Sequence, residues 1–311
     1  MNTQSNAMHE SPLASQVVAT AGVISPSRRL YWLVQRELWE NRSIYIAPLT
    51  VAGVFLAAFL IGLFTLPGHR MRAVLALDPA KQHAAIEQPY IVAEGLLMAT
   101  AFIITIFYCL EALHGERRDR SILFWKSLPV SDLSTVLAKA SIPLLLQGLA
   151  FAFIVVTQLI MLLLSSAVLA GSGLSVGPPW THVSLFQRSL GLGYHLLTVH
   201  TLWYAPIYAW LLFVSAWARR MPFVWALLPP LAIGVVEKIA FNTSHFAAWV
   251  QYRFGGPQPF DFRVPSGMAM DSMMSMDLGR FLTTPGLWTG LVVAAAFLAG
   301  AVRLRRYRGP I

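Results

Sequence analysis

Residues 111–139 read EALHGERRDRSILFWKSLPVSDLSTVLAK, and this stretch decides how the rest of the chain is arranged. It is charged and helix-breaking, and it separates two long apolar runs. Arg117, Arg118, Arg120 and Lys126 crowd into it. Lys and Arg collect in the cytoplasmic loops of helical membrane proteins. The stretch is therefore expected on the cytoplasmic side, and the orientation of every span follows from it. Its pattern also predicts local structure. Glu116 and Arg120, four residues apart, suit a pair on a short helix. Pro129 should stop that helix. Ser131 and Asp132 then supply an N-cap and a first-turn carboxylate for the next one.

Composition points the same way. Of 311 residues, 56% are hydrophobic and 12% charged, against about 25% charged in an ordinary soluble domain. Mean hydropathy is +0.60. The apolar residues come in blocks of about 20, long enough to cross a hydrocarbon core as helix. The expected fold is an all-α integral membrane protein with six transmembrane helices. They should run at about 44–66, 91–113, 136–170, 190–217, 223–241 and 285–302. Residues 1–27 are polar, lack the layout of a cleaved signal peptide and are expected to form a disordered cytoplasmic tail. Residues 28–43 carry an apolar stripe of Leu30, Tyr31, Val34 and Leu38 among arginines and tryptophans, which suits an interfacial helix. Residues 44–311 would form the six-span domain.

Charge tests the topology. Of 23 Lys and Arg, 15 fall on one side if the six spans put both termini together: at Arg28–Arg42, Arg117–Lys139, Arg219–Arg220 and Arg303–Arg308. That bias places both ends in the cytoplasm, in a cell membrane. Basic loops facing anionic lipid account for the net charge of +9 without nucleic acid.

Ionisable residues inside spans are functional candidates. Glu94 and Glu111 lie in the second span and Glu237 in the fifth, near span ends where carboxylates reach water or headgroups. Glu111 can also meet the arginines that follow it. His195 and His200 lie in the fourth span, and their spacing of five sets them about 140° apart on an α-helix, poor geometry for joint metal ligation. These five are the candidate translocation-path residues. Met268, Met270, Met273, Met274 and Met276 form a cluster whose thioethers would suit Cu(I) and equally suit adaptable apolar packing. The lone Cys109 excludes an intrachain disulfide and a multi-cysteine metal site. No phosphate loop GxxxxGK[ST], HExxH, CxxC or GxSxG occurs, so the chain carries no Walker-type nucleotide site of its own.

The central stretch, ER-x-D-x-S-I-x-F-x-x-S-L-P-V-S followed by Lys139, resembles the permease subunits of type-2 ABC exporters. Those often show an E-R-x-x-G-T-x-x-x-x-L-P-x-S-like segment between spans two and three. Glu116, Arg117, Asp119, Ser121, Leu128, Pro129, Ser131 and Lys139 match, and Arg120 stands where glycine is common. The interfacial helix and the six-span layout match as well. The resemblance implies a coupling helix at 116–127 seated on a separate cytoplasmic ABC ATPase, which would hold ATP and Mg²⁺. Glu116, Arg117, Arg118, Asp119 and Arg120 would be its contacts. It also implies a homodimer or paired permease, and hydrolysis on the partner rather than on this chain. The alternatives are a secondary transporter and a non-transporting membrane scaffold, neither needing an ATPase.

Overall fold

A computed structural model describes residues 25–65, 74, 77–128, 130–173, 176–177, 180, 183–255 and 278–311. These residues are mostly helical, with no strand among them. The helices are α1 (Pro26–Glu40), α2 (Ser43–Thr65), α3 (Pro79–Glu111), α4 (His114–Arg118), α5 (Ser121–Ser127) and α6 (Asp132–Gly171). After them come α7 (Leu185–His195), a π-helical segment (Leu196–Trp203), α8 (Ala205–Trp217), α9 (Pro222–Phe241), α10 (His245–Gly255), α11 (Leu278–Leu282) and α12 (Pro285–Tyr307).

Five helices are long and apolar enough to cross a membrane, and there are six spans when α7 through α8, bent by 46°, counts as one. Several boundaries differ from the hydropathy reading. The second span was expected to begin near residue 91, but the helix that contains it, α3, starts at Pro79 and continues through Pro89. Pro79 at the first helical position fits there without losing a hydrogen bond, and Ala, Lys, Gln and Glu in the following turns are strong helix formers. Pro229 and Pro230 lie inside a continuous α9. Ser131 does cap α6, its hydroxyl accepting from the Ser134 amide at 3.1 Å. The helix expected over 28–43 is present as α1.

Helix packing in lipid gains little from apolar burial, because the tails are as apolar as leucine; close van der Waals fit and polar links hold helices together instead. Both are visible. The most extensive pairing, α8 on α12, uses small residues on both sides: Ala209, Ser215 and Ala216 on α8, and Gly290, Ala294 and Ala301 on α12 are buried. A Cβ at Gly300 would meet the Phe213 ring at 2.9 Å, so glycine permits the approach. The α3–α6 and α2–α3 pairs follow in extent, and α1 lies along α6. By contrast α9 presents Leu231, Val235, Val236 and Ile239 outward.

Candidate functional site

The central stretch folds back on the helix bundle. The backbone leaves α3 at Ala112 and re-enters helix at α4, and the break is bridged by Ser215 of α8. Its hydroxyl accepts from the amides of Leu113 at 3.0 Å and His114 at 2.9 Å, which would otherwise be unpaired at a helix start. Arg120 separates α4 from α5 in the left-handed conformation, φ +58°, which L side chains adopt reluctantly and glycine freely. The resemblance has glycine at this position.

Behind these two short helices lies a buried charge network. The Lys139 ammonium of α6 sits 2.9 Å from Glu37 of α1 and 3.2 Å from Glu116 of α4, each side chain 7% exposed or less. Glu116 also pairs with Arg305 of α12. Arg305 reaches Asp132 at 3.1 Å. Arg36 reaches Glu37 at 2.8 Å and lies over the Trp125 ring of α5 at 3.6 Å. The Tyr108 hydroxyl donates to Glu37 at 2.9 Å. Three cations (Arg36, Lys139, Arg305) thus face three carboxylates (Glu37, Glu116, Asp132). Such a balance is what makes burial of ions tolerable, and losing one partner strands the others.

The structure accordingly divides the five residues expected at a docking surface. Glu116 and Arg117 are buried. The expected Glu116–Arg120 pair is absent, because Glu116 turns inward to Lys139 and Arg305. Arg117 donates to the carbonyls of Ala216 at 2.7 Å and Ala218 at 3.2 Å, closing the C-terminal end of α8. Arg118, Asp119 and Arg120 are exposed. Arg118 meets Glu111 at 2.9 Å, the pairing expected of Glu111 with the arginines after it. Leu123 and Phe124 of α5 are more than half exposed beside them, giving a surface with both charge and an aromatic anchor.

No family model, curated protein or solved structure matches the chain. The reading of this surface therefore rests on its own geometry.

The remaining candidates lie apart from one another. Glu94 lies some four turns into α3, where Arg188 of α7 reaches it at 3.2 Å and also reaches Glu87 at 2.6 Å. Gln158 of α6 donates to the same Glu94 oxygen at 3.2 Å. Glu237 accepts from the His245 and Phe246 amides at 2.7 and 2.8 Å, so its carboxylate caps the N-terminus of α10. His195 and His200 were expected on different faces; their ring centroids are 5.1 Å apart. The π-helical segment is the reason. Its i→i+5 bonding, seen in Tyr204 N to Val199 O at 3.1 Å, brings residues five apart toward one face. Among the described residues no group of three or more His, Cys, Asp or Glu is placed to hold a metal ion. The methionine cluster lies outside the described residues.

Sequence reasoning missed Glu37, Arg188, Ser215 and Arg253. Arg253 of α10 is buried, donates to the carbonyls of Trp203 at 3.2 Å and Gly286 at 2.8 Å, and stacks on Trp203. Burial pushes its pKa down from the usual guanidinium value. It pins α10 to the bend between the π-helical segment and α8. A lone Lys139 opening a long apolar run, and Glu37 at the edge of the Val34–Leu38 stripe, were the available signals for the charge network.

Proposed function

We propose that this chain is the membrane permease subunit of an ATP-driven ABC exporter, pairing with a second permease and coupling to a separate cytoplasmic ATPase that carries ATP and Mg²⁺. One observation carries the reading. The α4–α5 pair faces outward with Arg118, Asp119, Arg120, Leu123 and Phe124, while its inner face is tied to α1, α6, α8 and α12 through Glu116, Arg117 and Trp125. A force applied to α5 by a partner reaches four helices through short charged contacts rather than through a compliant loop. That is the mechanical requirement for coupling a soluble motor to a membrane path. The left-handed backbone at Arg120, where the exporter-like pattern has glycine, supports the same reading.

The division of residues sharpens the contact surface. Arg118, Asp119, Arg120 and Phe124 would touch the ATPase, with Phe124 as the buried anchor such interfaces favour. Glu116 and Arg117 would transmit rather than contact. The test is the triple variant Arg118→Glu, Arg120→Glu and Phe124→Ala, leaving Glu116 and Arg117 intact. It should insert and remain folded yet lose the co-purifying ATPase. Retention of that ATPase at the parental level would overturn the assignment of this surface.

A secondary transporter has one observation in its favour: two carboxylates, Glu87 and Glu94, share the single Arg188 guanidinium beside Gln158. Intramembrane ionisable groups commonly mark substrate or proton routes. Under that reading Glu94→Gln abolishes transport without a partner ATPase; under the exporter reading, transport requires the partner.

A further inference from the structure

At the end of the bundle that carries α4 and α5 there is a cavity of about 440 Å³. Its walls are Arg117, Arg219, Arg308, Tyr307, Gly309, Pro310 and Ile311. Three guanidiniums face it, and no acidic side chain lines it. Among the described residues none of the three is in a salt bridge. Arg219 and Arg308 are near enough to Arg117 to repel its charge. Three cations therefore share one concavity with a single anion, the terminal carboxylate of Ile311, and the excess is positive.

Two of the three are held in place. Arg117 is fixed by the carbonyls of Ala216, Ala218 and, at 3.3 Å, Gly309. Arg308 Nη1 donates to the Trp217 carbonyl at 2.5 Å. These contacts place both guanidiniums at the negative C-terminal end of α8. Arg219 is exposed and follows α8 directly. Planar, pre-positioned guanidiniums with spare donors are suited to phosphate oxygens.

The surroundings of the cavity narrow the source. It sits where α3–α4, α8 and α12 all end, beside Trp217, Trp225 and the largely exposed Tyr307. Tryptophan and tyrosine concentrate at headgroup level, and basic pockets between span ends on the cytoplasmic side take anionic headgroups.

We infer that this three-arginine cavity binds the phosphate of an anionic phospholipid. The inference needs only that this end lies at headgroup level and stands independently of the exporter reading. A bound headgroup would join the ends of α4, α8 and α12 and neutralise the repulsion between their arginines.

The test is native mass spectrometry of the full chain from mild detergent, titrated with phosphatidylglycerol or phosphatidylcholine. A parallel arm follows thermal stability with added inorganic phosphate. The parent should retain phosphatidylglycerol in preference to phosphatidylcholine. Arg219→Gln, which breaks no contact within the fold, should weaken that retention about tenfold, the scale of one charge-assisted bond. Arg308→Gln should weaken it similarly, while Arg220→Gln, one residue outside the cavity wall, should not. Equal phosphatidylglycerol retention by the parent, Arg219→Gln and Arg308→Gln would overturn the site. Stabilisation by inorganic phosphate that depends on Arg219, without preference for phosphatidylglycerol, would overturn the lipid as its source.

Discussion

Lys139 is the cation on which the buried network turns, and Lys139→Met tests it while preserving side-chain length. In the parent the ammonium lies 2.9 Å from Glu37 and 3.2 Å from Glu116. At an effective dielectric of about 20, each contact supplies on the order of 5 kcal/mol of gross attraction. Most of that offsets the desolvation of the three groups. The variant keeps the desolvation of both carboxylates and deletes the cation they share. Arg36 and Tyr108 still reach Glu37, and Arg305 still reaches Glu116. The net loss should therefore be about 3–5 kcal/mol, the usual cost of breaking a buried pair. Read as the thermal midpoint of the purified protein in mild detergent, that is a fall on the order of 10 °C. Lys126→Met, a surface control, should fall within about 0.5 kcal/mol of the parent. Adding Glu37→Gln to Lys139→Met removes the stranded charge, and the double-mutant cycle should show a coupling of about 1–3 kcal/mol. A Lys139→Met midpoint within about 2 °C of the parent, with no coupling to Glu37, would refute the network as a structural tie.

Three further outcomes follow from the geometry. Arg188→Met strands Glu87 and Glu94 together, and should lower the thermal midpoint by an amount comparable to Lys139→Met; an unchanged midpoint would show that the Arg188 pairs add nothing. Arg120→Gly relieves a left-handed backbone and should raise stability by about 1 kcal/mol, measured as a higher midpoint, whereas a lower one would contradict the strain. In a Cys109→Ala background, Arg118→Cys and Gln187→Cys should be labelled by a membrane-impermeant maleimide from opposite sides of sealed vesicles, and labelling of both from one side would break the six-span topology.

Much of the fold was legible because membrane helices are written in contiguous hydropathy. Ser131 as a cap and Glu111 beside Arg118 were legible because both are local. What was not legible depends on pairs about a hundred residues apart. Lys139 with Glu37, Arg188 with Glu94, and Ser215 with the start of α4 leave no periodic trace. Arg188 also fell outside the apolar window that defined the fourth span. The histidine pair was misplaced for a different reason. A 3.6-residue period was assumed where the backbone takes a π-helical turn, and nothing in LLTVHTLW announces that change. At the docking surface, charge alone did not tell Glu116 and Arg117, which turn inward, from Arg118, Asp119 and Arg120, which do not. Burial follows from which residues lie under Ser215 and Lys139, a tertiary fact.

The central claim is that the α4–α5 surface engages a soluble ATPase. It is tested most directly by purifying the tagged chain from its native membranes in mild detergent and identifying what accompanies it by mass spectrometry. The account predicts a co-purifying soluble protein with a phosphate-binding loop, lost from the Arg118→Glu, Arg120→Glu, Phe124→Ala variant. A folded chain that comes down alone in several detergents would contradict it.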